Sequence, residues 1–391
     1  MALTYYKQSY GAVSVRGARF AAAGSAVEEH HLCFDAPSVG TFEEQLHALE
    51  QAHARAMSEL GLGADTAVFR RVFLSDAANQ QDRFEASTLG RSGAMAPIAI
   101  SVIEQPPVGT NKLSLWDYHV RSQSPITKRA RSNGVELERD GLVHLWTTGL
   151  VGAGSIGAYA QTESVLRDYE RELQSLGATL RDHAVRTWFY VYDVDTEYAG
   201  LVEARKRHFE SIGLTENTHY ITSTGIAGRG ASPVHRVALD AYAIRDIDQR
   251  RLRFLSAPEY LGPTHLYGVT FERGTRIAYG DRSHAFISGT ASIDPEGRTL
   301  HVGDIERQCR RAFENVSALL ADAGGSFADV AQLTVYVRDG ADGPFVERFL
   351  EDQFPNLPSV IVRAPVCRPS WLVEIECIAV IPNDDPNLSE F

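Results

Sequence analysis

Residues 308–339 read QCRRAFENVSALLADAGGSFADVAQLTVYVRD, and this stretch decides the predicted fold. In its first half, apolar residues recur at helical spacing on either side of Val316, which predicts a helix with one apolar face. Gly324 should end that helix, because glycine is favoured just beyond a helix C-terminus. The segment LTVYV, which begins at Leu333, then predicts a half-buried strand that is closed by Asp339.

The same order of helix, glycine, strand and aspartate occurs twice more. In the middle of the chain a helical pattern ends at Gly177 and a strand begins at Trp188. Near the start a helical pattern ends at Gly61 and a strand includes Val72. The strand segments, each running between two aspartates, are residues 65–76, 182–193 and 329–339. A closing strand is expected in each copy, at residues 112–120, 236–244 and 372–380.

Three such copies predict an α+β protein of three tandem domains with one ancestry. Each domain should hold an antiparallel or mixed sheet backed by two helices, and the three sheets should face inward around a pseudo-threefold axis. The predicted bounds are residues 1–130, 131–248 and 249–391. The length of 391 residues agrees, since a single hydrophobic core stops growing at about 250–300 residues.

Composition excludes several classes of partner. The net charge of −12 repels nucleic-acid backbones and anionic membranes, so an anionic ligand would depend on a few local arginines. Four cysteines without a C-x-x-C pair are too sparse for a disulfide framework or a structural zinc site. No stretch is typical of a signal peptide or reaches about 18 unbroken apolar residues. These features predict a cytoplasmic monomer or small homo-oligomer, with no nucleic-acid or membrane partner.

Short motifs in the third copy carry a family resemblance. They are FISGT at 286–290, DPEG at 294–297, GDI at 303–305, TVY at 334–336 and VEIE at 373–376. Their order and spacing resemble the YjgF-like family of reactive-intermediate deaminases. Members of that family form trimers with ligand sites in the clefts between subunits. The resemblance implies three tandem YjgF-like (chorismate-mutase-like) domains, a pseudo-trimer in one chain with three non-identical clefts.

A second set of motifs narrows the resemblance. It comprises RTW at 186–188, STGI at 223–226, FER at 271–273 and VCR at 366–368. These motifs are similar to the chorismatases, a diverged branch of the same superfamily. Chorismatases hydrolyse the enolpyruvyl ether of chorismate to pyruvate and a dihydrodiol or hydroxybenzoate. The resemblance implies a cofactor-free hydrolase or lyase of a small anionic carboxylate.

The family pattern implies that Glu374 is the catalytic residue. The first glutamate of the closing E-x-E lies in the ligand cleft of family members, and the corresponding residues of the other two copies are Ala238 and Ser114. Only the third copy therefore keeps the acid. Glu374 and Glu376 share one face of a strand. A carboxyl among apolar neighbours would hold its proton near neutral pH, as a general acid must.

Three arginines are candidate ligands for the substrate carboxylates. Arg363 and Arg368 flank the bend before the closing strand, and Arg229 follows residues 223–228, which are predicted to form a turn. Guanidinium groups bind carboxylates through paired hydrogen bonds, so we expect the three to face one cleft. Further candidates for the cleft are Cys367, Tyr336, Tyr220, Thr290 and Ser288. For each candidate the alternative is an ordinary place on the surface or in the core.

Two motifs look like a cofactor site and a metal site, but their surroundings in the sequence predict neither. Residues 152–157 satisfy G-x-G-x-x-G, but the other copies lack these glycines, so dinucleotide binding is not expected. His30 and His31 are adjacent on a predicted strand and should point to opposite faces, with no third ligand placed nearby. The sequence therefore predicts chemistry carried by side chains alone.

Two other functions stay open. A divergent imine or enamine deaminase is one, although the family's arginine two residues after a proline is replaced here by Val360, after Pro358. A non-catalytic small-molecule-binding pseudo-trimer is the other, because two of the three copies lack the acid. Release of pyruvate from chorismate would distinguish a chorismatase-like enzyme from both the deaminase and the binding protein.

Overall fold

The computed structural model describes residues 3–152 and 156–391. The first copy contains strands and helices with the bounds β1 Leu3–Tyr10, β2 Val13–Ala21, β3 Val27–Asp35, α1 Phe42–Leu60, β4 Ala67–Leu74, α2 Ala77–Ala86, β5 Ala99–Glu104 and β6 Leu113–Ser122. These strands form one sheet in the order β1-β2-β3-β6-β4-β5. Only the β4–β5 pair within it is parallel among the described residues.

The second copy has the bounds β7 Thr127–Arg131, β8 Gly134–Arg139, β9 Leu142–Val151, α3 Gly157–Ser175, α4 Leu180–His183, β10 Ala184–Val191, α5 Val194–Ser211, β11 Thr222–Ala227 and β12 Val237–Arg245. Its sheet has the order β7-β8-β9-β12-β10-β11. The first and second sheets therefore share one topology, down to the parallel edge strand β11 beside β10.

The third copy has the bounds β13 Leu252–Phe254, β14 Gly274–Ala278, β15 Arg282–Ala291, α6 Ile305–Asp322, β16 Val330–Val337, α7 Gly343–Gln353, β17 Ser359–Arg363 and β18 Val373–Pro382. Short 3-10 helices occur at Gln249–Arg251, Thr264–Tyr267, Phe327–Asp329 and Gly340–Asp342. The sheet order β13-β14-β15-β18-β16-β17 repeats that of the other two copies. The predicted α+β fold is confirmed. The domain bounds at residues 130 and 248 stay a prediction. Residue 248 lies between β12 and β13, whereas residue 130 lies within β7 of the second sheet.

Local sequence explains where the helices begin and end. Thr41 and Glu44 form a capping box at the start of α1, in which each side chain accepts from the other residue's backbone N–H. Gly61 follows α1 with φ of 64°, and Gly324 closes the turn after α6 with φ of 84°. Glycine adopts this left-handed conformation without the clash that a Cβ would cause.

The inner faces of the three sheets pack against one another. Trp146 and Tyr242 of the second copy stack at 4.5 Å between ring centroids, and Phe69 of the first copy lies 4.9 Å from Trp146. Phe286 of the third copy lies 5.4 Å from Tyr242. Aromatic side chains from all three copies thus fill a shared centre, as the pseudo-trimer predicts.

One local prediction is wrong. Residues 223–228, expected as a turn, belong largely to strand β11, which pairs in parallel with β10. Gly225 in this segment serves packing, because a Cβ there would lie 3.0 Å from the ring of Tyr198. As for membranes, the helices of the described residues include none with the length and apolar character needed to span a bilayer.

Candidate active site

A cavity between the second and third copies contains Glu374. The second copy contributes Tyr198, Arg205, Ser223, Thr224 and Gly225 to its wall. The third copy contributes the polar residues Tyr267, Arg273, Cys367, Arg368 and Glu374, together with apolar residues that include Phe271 and Trp371. The open space measures about 40 Å³. Two copies are therefore needed to build this one site.

The backbone of β15 makes room for the Glu374 carboxylate. Strand β15 departs from regular register between Ile287 and Thr290, opposite β18. A Cβ built on Gly289 would lie only 1.9 Å from Oε1 of Glu374, so no other residue fits there without moving the acid. Glu374 itself is 3% exposed and accepts no hydrogen bond from the described residues.

Burial keeps Glu374 protonated. Loss of solvent, and then the negative charge of Glu376, raise the pKa of this carboxyl to about 8, against the opposing charges of Arg186 and Arg273. At neutral pH the group is therefore mainly a neutral acid. A protonated carboxyl at a cavity wall can donate its proton to a bound molecule.

Glu376 occupies a different environment two residues along the same strand. Arg186 donates from Nη2 to its Oε2 at 2.6 Å, and Trp188 donates from Nε1 to its Oε1 at 2.8 Å. The Thr224 hydroxyl donates to Oε2 at 2.5 Å. Three donors from the second copy thus hold Glu376 in place, whereas Glu374 is left free to react.

Arg205 and Arg273 are buried cations in this cavity that the sequence analysis missed. Arg205, on α5, is 1% exposed, and Arg273 is 5% exposed. Nη2 of Arg205 and Nε of Arg273 are buried without a hydrogen-bond partner among the described residues. Desolvation lowers the pKa of both guanidinium groups. Neither pairs with a carboxylate in the described part of the chain, so both are available to an anionic ligand.

Two of the predicted binding residues do lie beside Glu374. Arg368 stacks at 4.9 Å over Trp371 and at 5.3 Å over Tyr267, and Nη1 donates to the Gly297 carbonyl at 2.9 Å. Cys367 also lines the cavity, and burial raises the pKa of its thiol to about 12. The thiol is therefore neutral rather than a nucleophilic thiolate.

Arg363 and Arg229 do not share the cleft, so the expectation that three arginines converge there is wrong. Both line a separate cavity of about 210 Å³ near the ends of β5, β11 and β17. Nη2 of Arg229 is 2.6 Å from Oε1 of Glu104, so its charge is already paired. Arg363 is the last residue of the edge strand β17 and is exposed. The bend after residue 363 separates it from Arg368.

The remaining predicted residues lie outside the Glu374 cavity. The Ser288 hydroxyl accepts from the Ser223 backbone N–H at 2.9 Å, which joins β15 to β11. The Thr290 hydroxyl donates to the Ser288 carbonyl at 2.8 Å. Tyr336 is buried at the shared centre, and Tyr220 lines another cavity of about 290 Å³. The serine and threonine hydroxyls thus serve strand packing.

The sequence predicts no metal because it offers no cluster of ligands, yet the fold does bring one group of potential ligands together. His53 of α1 meets Asp117 and His119 of β6, with potential ligand atoms within 4.8 Å of one another. The sequence could not show this because His53 lies on a distant helix. Nη2 of Arg70 donates to Oδ2 of Asp117 at 2.8 Å and lies 3.1 Å from Nε2 of His53. The guanidinium of Arg70 already supplies the positive charge that a metal ion would bring to these three side chains. Of the G-x-G-x-x-G motif, residues 153–155 lie outside the described residues.

Comparisons with known proteins agree with this architecture. The model of the family "Endoribonuclease L-PSP" matches residues 276–381, in the third copy. A RutC family protein of Pyrococcus abyssi is 33% identical over 125 residues, which are 32% of this chain and 90% of that protein. The chain belongs to the RutC family. This confirms the YjgF-like resemblance of the third copy.

Two relatives of this RutC family chain come from Streptomyces hygroscopicus. Its 3-hydroxybenzoate synthase is 28% identical over 222 residues, which are 50% of this chain and 63% of that protein. Its chorismatase is 29% identical over 276 residues, which are 65% of this chain and 76% of that protein. These matches confirm the chorismatase-like branch. The chain spans just under two thirds of the synthase's length.

A solved structure shares the fold of this RutC family chain. The crystal structure of a chorismatase superposes with a TM-score of 0.62 at 22% identity, covering 81% of this chain and 94% of that chain. The superposition confirms the predicted fold of three tandem YjgF-like units.

Proposed function

We propose that this chain hydrolyses the enolpyruvyl ether of chorismate, or of a related small carboxylate, to pyruvate and a dihydrodiol or hydroxybenzoate. The observation that carries the proposal is a protonated Glu374 in one cavity with Arg205, Arg273 and Arg368, none of which pairs with a carboxylate among the described residues. Its similarity to the 3-hydroxybenzoate synthase and the chorismatase of S. hygroscopicus supports the choice of substrate.

The arginines would bind the substrate carboxylates. A dicarboxylate entering the cavity would supply the counter-charges that Arg205 and Arg273 lack, and its oxygens would accept from their unpartnered N–H groups. Arg368, like Arg273, belongs to the third copy, and it stacks over Tyr267 and Trp371, whereas Arg205 belongs to the second copy. Cationic groups on more than one wall favour a molecule with two separated carboxylates.

Glu374 would act as general acid. Its O–H donates a proton to the methylene carbon of the enol ether, which becomes a methyl group and leaves an oxocarbenium-like carbon beside the ether oxygen. Water adds to this carbon to form a hemiketal and releases a proton that restores the Glu374 carboxyl. The bond to the ether oxygen then breaks as the hemiketal hydroxyl proton passes to that oxygen, so the keto acid is freed and the ring retains a hydroxyl.

Substrate entry would require movement of the wall. The open space of about 40 Å³ is far below the roughly 300–1,000 Å³ of ordinary ligand sites. The 3-10 helix Thr264–Tyr267 places Tyr267 over Arg273, at 5.3 Å from its guanidinium carbon. Leu266 on this turn is 69% exposed, so the turn has little packing on its outer side to hold it closed.

The deciding experiment measures pyruvate. Purified chain is incubated with chorismate, and pyruvate is detected through lactate dehydrogenase and NADH, with boiled chain as the blank. Enzyme-dependent release of pyruvate supports the proposal. A chain that binds chorismate without releasing pyruvate would instead be a binding protein, and one that hydrolyses an imine but not chorismate would be a deaminase.

Cytoplasmic location and a monomeric or small homo-oligomeric state stay proposals.

The rate should depend on the protonation of Glu374. Because its pKa is about 8, kcat should be level below that pH and fall about tenfold per pH unit above it. In Glu376→Gln the neighbouring negative charge is lost while Arg186 and Arg273 remain. The pKa of Glu374 then falls, and the alkaline limb of the profile moves to lower pH. An unchanged limb in this variant would assign the titration to another group.

Arg205 should control substrate affinity. Arg205→Met keeps much of the side-chain volume but removes a fork that holds a carboxylate in both the ground and transition states. KM for chorismate should therefore rise by at least about tenfold, with a smaller change in kcat. The comparison variant is Arg363→Ala, which removes an exposed arginine of the separate cavity. Equal KM values in the two variants would exclude Arg205 from binding.

A further inference from the structure

A second cleft lies between the first and third copies. It is a cavity of about 330 Å³ whose walls come from strands β2, β3 and β17, helix α7 and residues 107–111. The active site is built in a similar way from α5, β11, β15, residues 367–371 and Arg273, which directly precedes β14. The second cleft is therefore the counterpart of the active site on another side of the pseudo-trimer, and it is the more open of the two.

Its charges are the reverse of those at the active site. Arg16 precedes Gly17 in the first copy, as Arg273 precedes Gly274 in the third. Here Arg16 is already paired, because its Nη2 lies 2.9 Å from Oδ2 of Asp35. At the rim, Nζ of Lys7 lies 2.6 Å from Oε1 of Glu351. Both positive charges of the second cleft are thus matched by carboxylates.

Once Asp35 and Glu351 are paired with Arg16 and Lys7, Glu347 is the acid lining the second cleft that has no cationic partner among the described residues. It projects from α7 and makes no hydrogen bond or ion pair with any residue of 3–152 or 156–391. Glu347 is exposed at the cavity, and partial burial, then the negative charge of Asp35, raise the pKa of its carboxyl, whereas the positive charge of Arg16 lowers it. When two acids lie close together, a cation placed between them stabilises their ionised carboxylates.

A second acceptor lies near the same place. The side-chain amide of Asn111 donates to the Leu113 carbonyl at 3.1 Å and to the Ser114 hydroxyl at 2.9 Å, which leaves its Oδ1 without a donor in the described chain. A Cβ on Gly109 would lie 2.9 Å from this Oδ1 and 3.9 Å from Oε1 of Glu347. Both oxygens thus border one open point above Gly109.

We infer that the second cleft binds a small primary amine in its ammonium form, held by Glu347 and Asn111, with its hydrocarbon part against Pro107, Val108 and Ile361. The ammonium nitrogen donates to Oε1 of Glu347 and Oδ1 of Asn111 above Gly109. The apolar residues among those lining the cavity accommodate the carbon chain. This site is separate from the chemistry at Glu374 and does not depend on it.

The lining favours an organic cation over other ligands. A dicarboxylate would meet Asp35, Glu347 and Glu351 and gain no unpaired arginine. A bare metal ion would fill little of a cavity of about 330 Å³ and would leave the apolar wall without a partner. An amine with a short carbon chain satisfies the free acceptors and covers the apolar wall together.

Ligand-detected NMR with butylamine tests the inference. Butylamine should bind the wild-type chain, whereas butyrate, its anionic counterpart, should not. Glu347→Gln should weaken butylamine binding by at least about tenfold, since a charge-assisted hydrogen bond is lost. Gly109→Ala should abolish butylamine binding, because the new methyl group occupies the position of the ammonium group without altering any charge.

The control is Glu351→Gln, which removes an acid of the same helix that is already paired with Lys7. Its butylamine affinity should match the wild type, and thermal unfolding should show all three variants folded. Equal binding by Glu347→Gln and the wild type would overturn the inference. So would no binding to the wild type, or displacement of butylamine by calcium chloride but not by a second amine.

Discussion

Glu374→Gln should reduce kcat for pyruvate release by about 10²- to 10⁴-fold, the usual contribution of general acid catalysis. Glutamine has nearly the shape of glutamic acid, so it fits above Gly289 where a larger change would not. It cannot donate a carboxyl proton. KM should change little, because the carboxylates of the substrate are bound by the arginines rather than by this residue.

The same substitution should not destabilise the fold, which separates lost chemistry from lost structure. The pKa of Glu374 is raised from 4.5 to about 8 on folding, so the folded state binds more protons than the unfolded state between these values. Stability contributed by this group therefore falls as pH rises through that window. Glutamine does not ionise, so at pH 8 the variant should unfold at a temperature no lower than the wild type.

Glu203→Gln provides the matched control. Glu203 is an exposed acid of α5 that pairs with Arg207 at 2.8 Å, away from the cavity. Its variant should release pyruvate at the wild-type rate in the lactate dehydrogenase assay. If Glu374→Gln did the same, Glu374 would not be the acid, and the main reason for preferring ether hydrolysis over simple binding would be gone.

Sequence reasoning could reach the fold because the decisive signals are local. The helix ending at Gly324 and the strand that includes Leu333 are each set by residues a few positions apart, and three repetitions of that order imply three similar sheets. The edge strands β5, β11 and β17 were harder to predict. They have five or six residues each, and their pairing depends on the neighbouring strand rather than on their own pattern.

The site was only partly predictable, because its two walls come from distant parts of the chain. Glu374, Cys367 and Arg368 lie within eight residues and could be found together from the family motif. Arg205 belongs to a helix of the second copy, and no spacing rule connects it to the closing strand of the third. Arg363 shows the converse, since closeness in sequence to Arg368 did not place it in the same cavity.

Arg71→Met should strongly destabilise the whole chain. Arg71, on β4, is fully buried at the shared centre. Its Nη2 lies 3.0 Å from Oδ2 of Asp240 in the second copy, and its Nη1 lies 3.9 Å from Oε1 of Glu376 in the third. Its guanidinium also stacks at 4.6 Å over the ring of Trp188. One side chain of the first copy thus contacts acids of both other copies.

The cost of the substitution comes from the acids that remain. Methionine fills much of the space of Arg71 but leaves Asp240 buried at 2% exposure without its guanidinium partner. Breaking a buried pair on one side costs about 3–5 kcal/mol, more than removing both charges does. The midpoint of urea unfolding should fall accordingly. Arg129→Met, which removes an exposed arginine paired with Glu138, should leave the midpoint nearly unchanged.

A double variant separates lost charge balance from lost packing. Arg71→Met combined with Asp240→Asn removes the uncompensated carboxylate, and the amide can still accept from the Gly149 backbone N–H, which lies 2.9 Å from Oδ1. The double variant should therefore unfold at a higher urea concentration than Arg71→Met alone. A double variant no more stable than the single one would show that Arg71 stabilises the centre by stacking on Trp188 rather than by its charge.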